Sequence, residues 1–599
     1  MKQLRFFIIL IFLLFSFSAF SCVRRASPPD YEILASYKPA SCWEEVGRNI
    51  QVSPDGKMAA FFYGIEFQQK IIDLESGQVS RAQLLGNLDE LWYSRFYHEN
   101  KLALLGQRGD EEGWFLEGPE GFRLSSLPPE ARPCWSPDGT HIAYRQGGER
   151  VLFAGHSGNI TKIQLGGDLI GLAWTPDNRF VYVMIDSDDG SASIIRADIE
   201  SRAITTIRDN LDTIKGMSPI ALSTDGRFLY MALAGLQLPD PEIKHQPGNL
   251  RDLDIYELDL TTGKLGRLVQ DGGDDFHPIV AGEYLYWTHN DIRYSVVVVP
   301  FSGGEAKIVV EEGMMPYWHP SGGQISFCHG GWRLVDWALN WDAALVDVDN
   351  KIEAVSDATP LVVGYHEDFT PVWSADGHWI SYHSHRSKNP VNSYSAKGSS
   401  DDIYLRRPSV PMEKEIRLTD FGWEVGNPDW SADGRKLIFT SLDRRSGGTS
   451  AAWIVTIDPS TGESLCVERL KAPKGFQNIR EAAWSPIGNK IAILVGVGGR
   501  RKIELWIANT DMTEAEKLHE FESSTYGGLD WTPDANNILF AALWEDHMQL
   551  FSIPSSGGKP NRITSDYGNL MHPQVSPDGR WIASTRMDQV KQLRRLKIH

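Results

Sequence analysis

Two histidines stand two apart in "ISYHSHR", so His383 and His385 leave the same face of a predicted strand end. Imidazole is the commonest protein metal ligand, and His366, Glu367 and Asp368 lie just ahead of the same unit's first strand. A strand-end pair with no third local ligand is more often hydrogen-bonded or solvated than metallated. His383 and His385 are therefore weak metal candidates, and neither a metal nor a cofactor is expected. A second set of chemically able side chains recurs in four short runs, "GGDDFHP", "GYHEDFTP", "GWEVGNP" and "YGNLMHP", each leading into a strand. They contribute Asp275, His277, His366, Glu367, Asp368, Trp423, Glu424, Asn427 and His572. Other chemistry finds no footing. "GHSGN" misses the nucleophile-elbow pattern G-x-S-x-G because its last residue is Asn159. "DSDDG" from Asp186 lacks the spacing and the closing glutamate of a calcium loop. H-E-x-x-H, phosphate-loop and dinucleotide patterns do not occur. No catalytic residue is assigned.

The elements that must position these residues come from a repeat. "CWSPDGTHIAY" (Cys134 to Tyr144) has clear relatives starting at Val52, Trp174, Leu222, Trp318, Trp373, Trp430, Trp484, Trp531 and Val575, and worn ones at Trp92 and His277. These twelve copies are spaced by about 48 residues. Within one copy, proline or its substitute opens a turn, the aspartate side chain bonds the backbone ahead, and glycine accepts positive φ. Alternating β-type residues follow, then a second strand such as "IYELDL" and a turn such as "DLTTGK". Each unit offers about four antiparallel strands, the signature of a propeller blade. Its two apolar faces demand neighbours on both sides, and the tryptophan ending the first strand fills the joint. Burying such an aromatic removes about 200 Å² from water, worth ~5 kcal/mol.

"WSPDG" followed by "IAY", with strands such as "DIYLRRP", resembles the TolB-like, WD-like β-propeller family over nearly all of residues 50 to 590. The resemblance implies an all-β fold of tandem β-propellers, two six-bladed rings of four-stranded antiparallel blades. The first is expected over 47–305 and the second over 306–599. In such a ring the four runs above would rim the channel mouths, where acidic, aromatic and imidazole groups suit a peptide segment or a sugar. Propeller lyases acting on acidic sugars carry a similar His-x-His with a glutamine three residues earlier; here that place is Ile380. The last unit lacks an outer strand, and "YEILASY" (residues 31 to 37) could supply one by ring closure.

The ends and the composition set the compartment. Lys2, Arg5 and the apolar run Phe6 to Phe20 read as an export signal, since the run is shorter than the roughly 20 residues of a membrane span. "SAFSC" resembles the bacterial lipoprotein signal, which implies removal of residues 1–21, acylation of Cys22, and a linker over 22–46. Val23, rather than aspartate, points to the outer membrane. A net charge of −19 argues against nucleic acid. The widely spaced cysteines are expected to be buried free thiols. The chain ends 20 residues past Gly579, so no appended hydrolase is expected. The reading at this level is a lipid-anchored, non-enzymatic envelope scaffold for a protein or peptide, touching membrane only through its anchor. The alternatives are a polysaccharide-acting, lyase-like enzyme and a carbohydrate-binding protein.

Overall fold

The computed structural model describes residues 31–37 and most of 51–598. Outside the description lie 1–30, 38–50, 64–67, 82–87, 97–100, 117–126, 187–190, 212–219, 234–252, 330–341, 363–366, 387–399, 410–414, 444–448, 472–475, 498–501, 522–525 and shorter segments. Cys22, Cys42, His366 and Trp423 fall there, as do the side chains of Glu367, His385 and Glu424.

Every regular element among the described residues is a β-strand, arranged almost throughout as four-stranded antiparallel sheets paired in chain order. The repeated phrase makes the same tight turn each time. Ser374 donates its hydroxyl to Asp376 (2.6 Å), the amide of His378 donates to the same carboxylate (3.0 Å), and the amide of Trp379 donates back to the serine oxygen (3.0 Å). Ser53/Asp55, Ser223/Asp225, Ser431/Asp433 and Ser576/Asp578 repeat the pattern. Serving two donors holds the carboxyls of Asp225, Asp433 and Asp578 below the usual range. The phrase thus folds into a hydrogen-bonded corner.

The joints are built by tryptophan. Trp174 Nε1 donates to the Cys134 carbonyl of the preceding sheet (2.9 Å), Trp430 to Val372 (3.2 Å) and Trp531 to Ala483 (3.2 Å). In the second half, the inner strands Gly313–Trp318, Glu367–Trp373, Glu424–Trp430, Ile479–Trp484, Tyr526–Trp531 and Asn569–Val575 each contact the next. The last returns to the first, where Trp318 Nε1 reaches the Gln574 carbonyl (3.1 Å). In the first half, Tyr286 closes the circle by donating its hydroxyl to the Gly56 carbonyl (3.2 Å). This is a tandem β-propeller.

Two 17-residue strands, Tyr284–Pro300 and Trp581–Lys597, pair with each other over their whole length and pass from one ring into the other. Near one end they are flanked by Asp274–Ala281 and Glu32–Tyr37, near the other by Asn569–Val575 and Lys307–Glu311. The strand Glu32–Tyr37 therefore completes the last sheet of the first ring, and residues 591–595 pair with it there. A division at 305/306 separates most sheets but cuts through this shared one. At the crossing, Gln589 donates to Asn290 (2.8 Å), both side chains being buried.

Of the described cysteines, Cys328 is buried, Cys134 half-buried and Cys466 exposed. Cys466 departs from expectation because Ser464–Arg469 is an outermost strand, exposed along its whole length.

Candidate functional site

All inner strands of a propeller run the same way about the axis, so their first residues gather at one channel mouth. In the second ring this end carries a recurring bulge. Register slips between Met314 and Tyr317, Phe369 and Val372, Gly426 and Asp429, Tyr526 and Leu529, and Met571 and Gln574. The extra residue adopts positive φ at Met315 (52°), Thr370 (50°), Asn427 (51°), Gly528 (90°) and His572 (51°). His277 (55°) is the counterpart in the first ring. Such bulges re-aim side chains at barrel rims and sites. A left-handed non-glycine residue costs on the order of 1–3 kcal/mol unless its surroundings hold it.

Several expected residues meet here. Thr370 Oγ1 and His383 Nδ1 share a hydrogen bond (2.8 Å), and the His383 ring stacks on Phe369 with centroids 5.1 Å apart. Asn427 Nδ2 donates to the Arg480 carbonyl on the next sheet (3.4 Å). His572 Nδ1 shares a hydrogen bond with Thr585 Oγ1 (3.1 Å), which also accepts from the Met315 amide (2.8 Å). Burial pushes His572 down to about 4, so its imidazole is neutral at pH 7.

Two expected residues do not reach the mouth. Asp275 and Asp368 lie two positions before the left-handed residue, and both are wholly buried within the sheet. Asp275 Oδ1 accepts from Trp287 Nε1 (2.6 Å) and meets His289 Nδ1 (3.1 Å), with the buried Arg594 guanidinium at 3.6 Å. That is an internal charge network in the shared sheet. Asp368 is paired in register with Ser384. Glu367 and Glu424 begin their inner strands, and Glu367 pairs in register with His385. No group of three or more His, Cys, Asp or Glu side chains among the described residues is placed to hold a metal.

Deeper in the same ring lie groups that motif reasoning missed. Asp429 accepts from the Trp484 amide of the next sheet (2.6 Å), and Asp530 from the Val575 amide (2.7 Å). Glu481 accepts from the Leu529 backbone in the same manner. Burial, with a smaller contribution from neighbouring acids at Glu481 and Asp530, pushes Asp429 up to about 7 and Glu481 and Asp530 up to about 8. Tyr317 is held far above the ordinary phenol value by burial, and next by the charges of Glu481 and Asp429. These groups share a throat below the mouth. A signal existed, because Tyr317, Asp429 and Asp530 each directly precede the joint tryptophan and strand alternation sends them to the opposite face.

No family model matches the chain. It is 26% identical over 235 residues to an "Uncharacterized peptidase YuxL" of Bacillus subtilis, covering 39% of this chain and 31% of that protein. It is 29% identical over 109 residues to a "Tricorn protease homolog" of Saccharolobus solfataricus, covering 18% and 10%. The chain thus spans a third or less of these relatives. Among solved structures, a putative TolB from Agrobacterium tumefaciens aligns with a TM-score of 0.37 at 16% identity, over 50% of this chain and 99% of that one. The tricorn protease aligns with a TM-score of 0.32 at 12% identity, over 87% and 58%.

Proposed function

We propose that the chain is a non-enzymatic β-propeller scaffold of the bacterial cell envelope, lipid-anchored through Cys22, whose second ring receives an extended segment of a protein or peptide partner. The observation that carries this reading is the ring of left-handed residues at one mouth. Glycine would occupy such a bulge with least strain, and Gly528 does so once. At three other places half-buried Met315, Asn427 and His572 stand there instead, and buried Thr370 at a fourth. A constant backbone device presenting different side chains around a channel is what a recognition surface needs. The histidine best placed for chemistry, His383, is bonded to Thr370 and packed on Phe369. The net charge of −19 disfavours nucleic acid as the partner.

The test is retention of envelope proteins on immobilised full-length chain in mild detergent, beside an Asn427→Ala/His572→Ala double variant. A discrete protein held by the parent and released by the variant is expected. No retained protein, or retention indifferent to both substitutions, contradicts the reading. Stoichiometric metal together with rising ultraviolet absorbance from acidic oligosaccharides would replace it with the lyase-like alternative.

A further inference from the structure

Beside the mouth, between the third and fourth sheets of the second ring, a cleft of about 520 Å³ is lined by Ser450, Ala451, Arg469, Leu470, Lys471, Phe476 and Ile479. Its floor is apolar: Leu470 and Ile479 are buried, and the half-buried Phe476 ring is backed by Trp506 at 4.8 Å. Its polar groups are donors. Arg469 and Lys471 are exposed and make no ion pair with a described residue, on a chain of net charge −19. Ser450 is 9% exposed, and its hydroxyl has no hydrogen-bond partner among the described residues. Its amide is already engaged by Asn478 Oδ1 (3.3 Å). The cleft also adjoins the mouth, because Ile479 opens the inner strand whose next residue, Arg480, accepts from Asn427.

Two cations and a buried hydroxyl above an apolar floor select an anion carrying an apolar body, and the volume suits one or two residues of a peptide. We propose that this cleft holds the C-terminal carboxylate and last apolar side chain of a peptide whose preceding residues cross the mouth. The assignment rests on the peptide-binding reading above. The carboxylate lies between Arg469 and Lys471 and accepts from the Ser450 hydroxyl, in charge-assisted hydrogen bonds that a C-terminal amide cannot reproduce. The terminal side chain lies against Leu470, Ile479 and Phe476.

The experiment is calorimetric titration of the full-length chain in mild detergent with N-acetyl-Gly-Ala-Phe as free acid and as C-terminal amide. The acid is expected to bind at least tenfold more tightly than the amide. Arg469→Gln/Lys471→Gln, at exposed positions, should cut that preference to below about threefold with an unchanged melting temperature. Ala451→Trp, which fills the cleft, should remove binding of both. Equal affinity for acid and amide, an undiminished preference in the double variant, or no saturable binding up to ~5 mM overturns the assignment. The two proposals fail separately. An envelope protein released by Asn427→Ala/His572→Ala but retained by Arg469→Gln/Lys471→Gln sinks the cleft alone.

Discussion

Replacing Trp318 with phenylalanine isolates what the joint tryptophan contributes to closing a ring. Trp318 seals the second ring, is 8% exposed, and donates Nε1 to the Gln574 carbonyl at 3.1 Å. Trp373 holds the equivalent place one sheet on at 7% exposure, yet its Nε1 has no partner among the described residues. The two substitutions therefore remove similar buried volume and differ by one hydrogen bond. Loss of that bond costs about 1 kcal/mol. Trp318→Ala removes nearly the whole buried ring system and should cost about 3–5 kcal/mol. Guanidinium titrations followed by tryptophan fluorescence and far-ultraviolet circular dichroism read these costs, with coincidence of the two probes testing whether the welded rings unfold as one unit. Trp318→Phe should be less stable than Trp373→Phe by about 1 kcal/mol. Equal losses, or a greater loss in Trp373→Phe, would refute the closure argument.

The throat carboxyls give a pH dependence whose sign follows from their raised values. The folded chain holds protons that the unfolded chain releases, so stability is greatest below the ordinary carboxylate value near 4 and falls as pH rises toward about 8. Chemical denaturation from pH 5 to 9 should show that fall, and Asp429→Asn/Glu481→Gln/Asp530→Asn should flatten it; parallel profiles would rule the throat out as its source. The turn aspartates act oppositely, since lowered values mean stability lost as pH drops through the acid range. Asp376→Ala should cost about 1 kcal/mol at pH 7 and progressively less as pH falls through the acid range, by thermal melts across it. Gly528→Ala places Cβ 2.5 Å from His572 Cα at φ +90° and should cost more than ~2 kcal/mol; a melting temperature within a degree of the parent would show that the two sheets part there easily.

The fold was legible because each copy of the repeated phrase contains its own turn chemistry and its own joint tryptophan. The shared sheet was not. Tyr284–Pro300 and Trp581–Lys597 lie nearly 300 residues apart, and nothing local in either announces that it pairs with the other. "YEILASY" was recognisable as a spare strand, but its partner at 591–595 became visible only in register. At the mouth, His277, Asn427 and His572 stood out for their imidazole and amide side chains in runs that lead into a strand; Met315 and Thr370 also precede proline and share the left-handed backbone, but their side chains carry no such chemistry. Asp275 and Asp368 read as mouth acids because sequence does not say where a bulge begins. Two positions ahead of it, their side chains turn into the sheet.

The most direct measurement of the central claim is photo-crosslinking in intact cells, with p-benzoylphenylalanine placed singly at Met315, Asn427 and His572, and at exposed Val355 as a control. The account predicts one and the same protein adduct from the three mouth positions and none from Val355. Adducts absent at the mouth, or equally abundant at Val355, would contradict it.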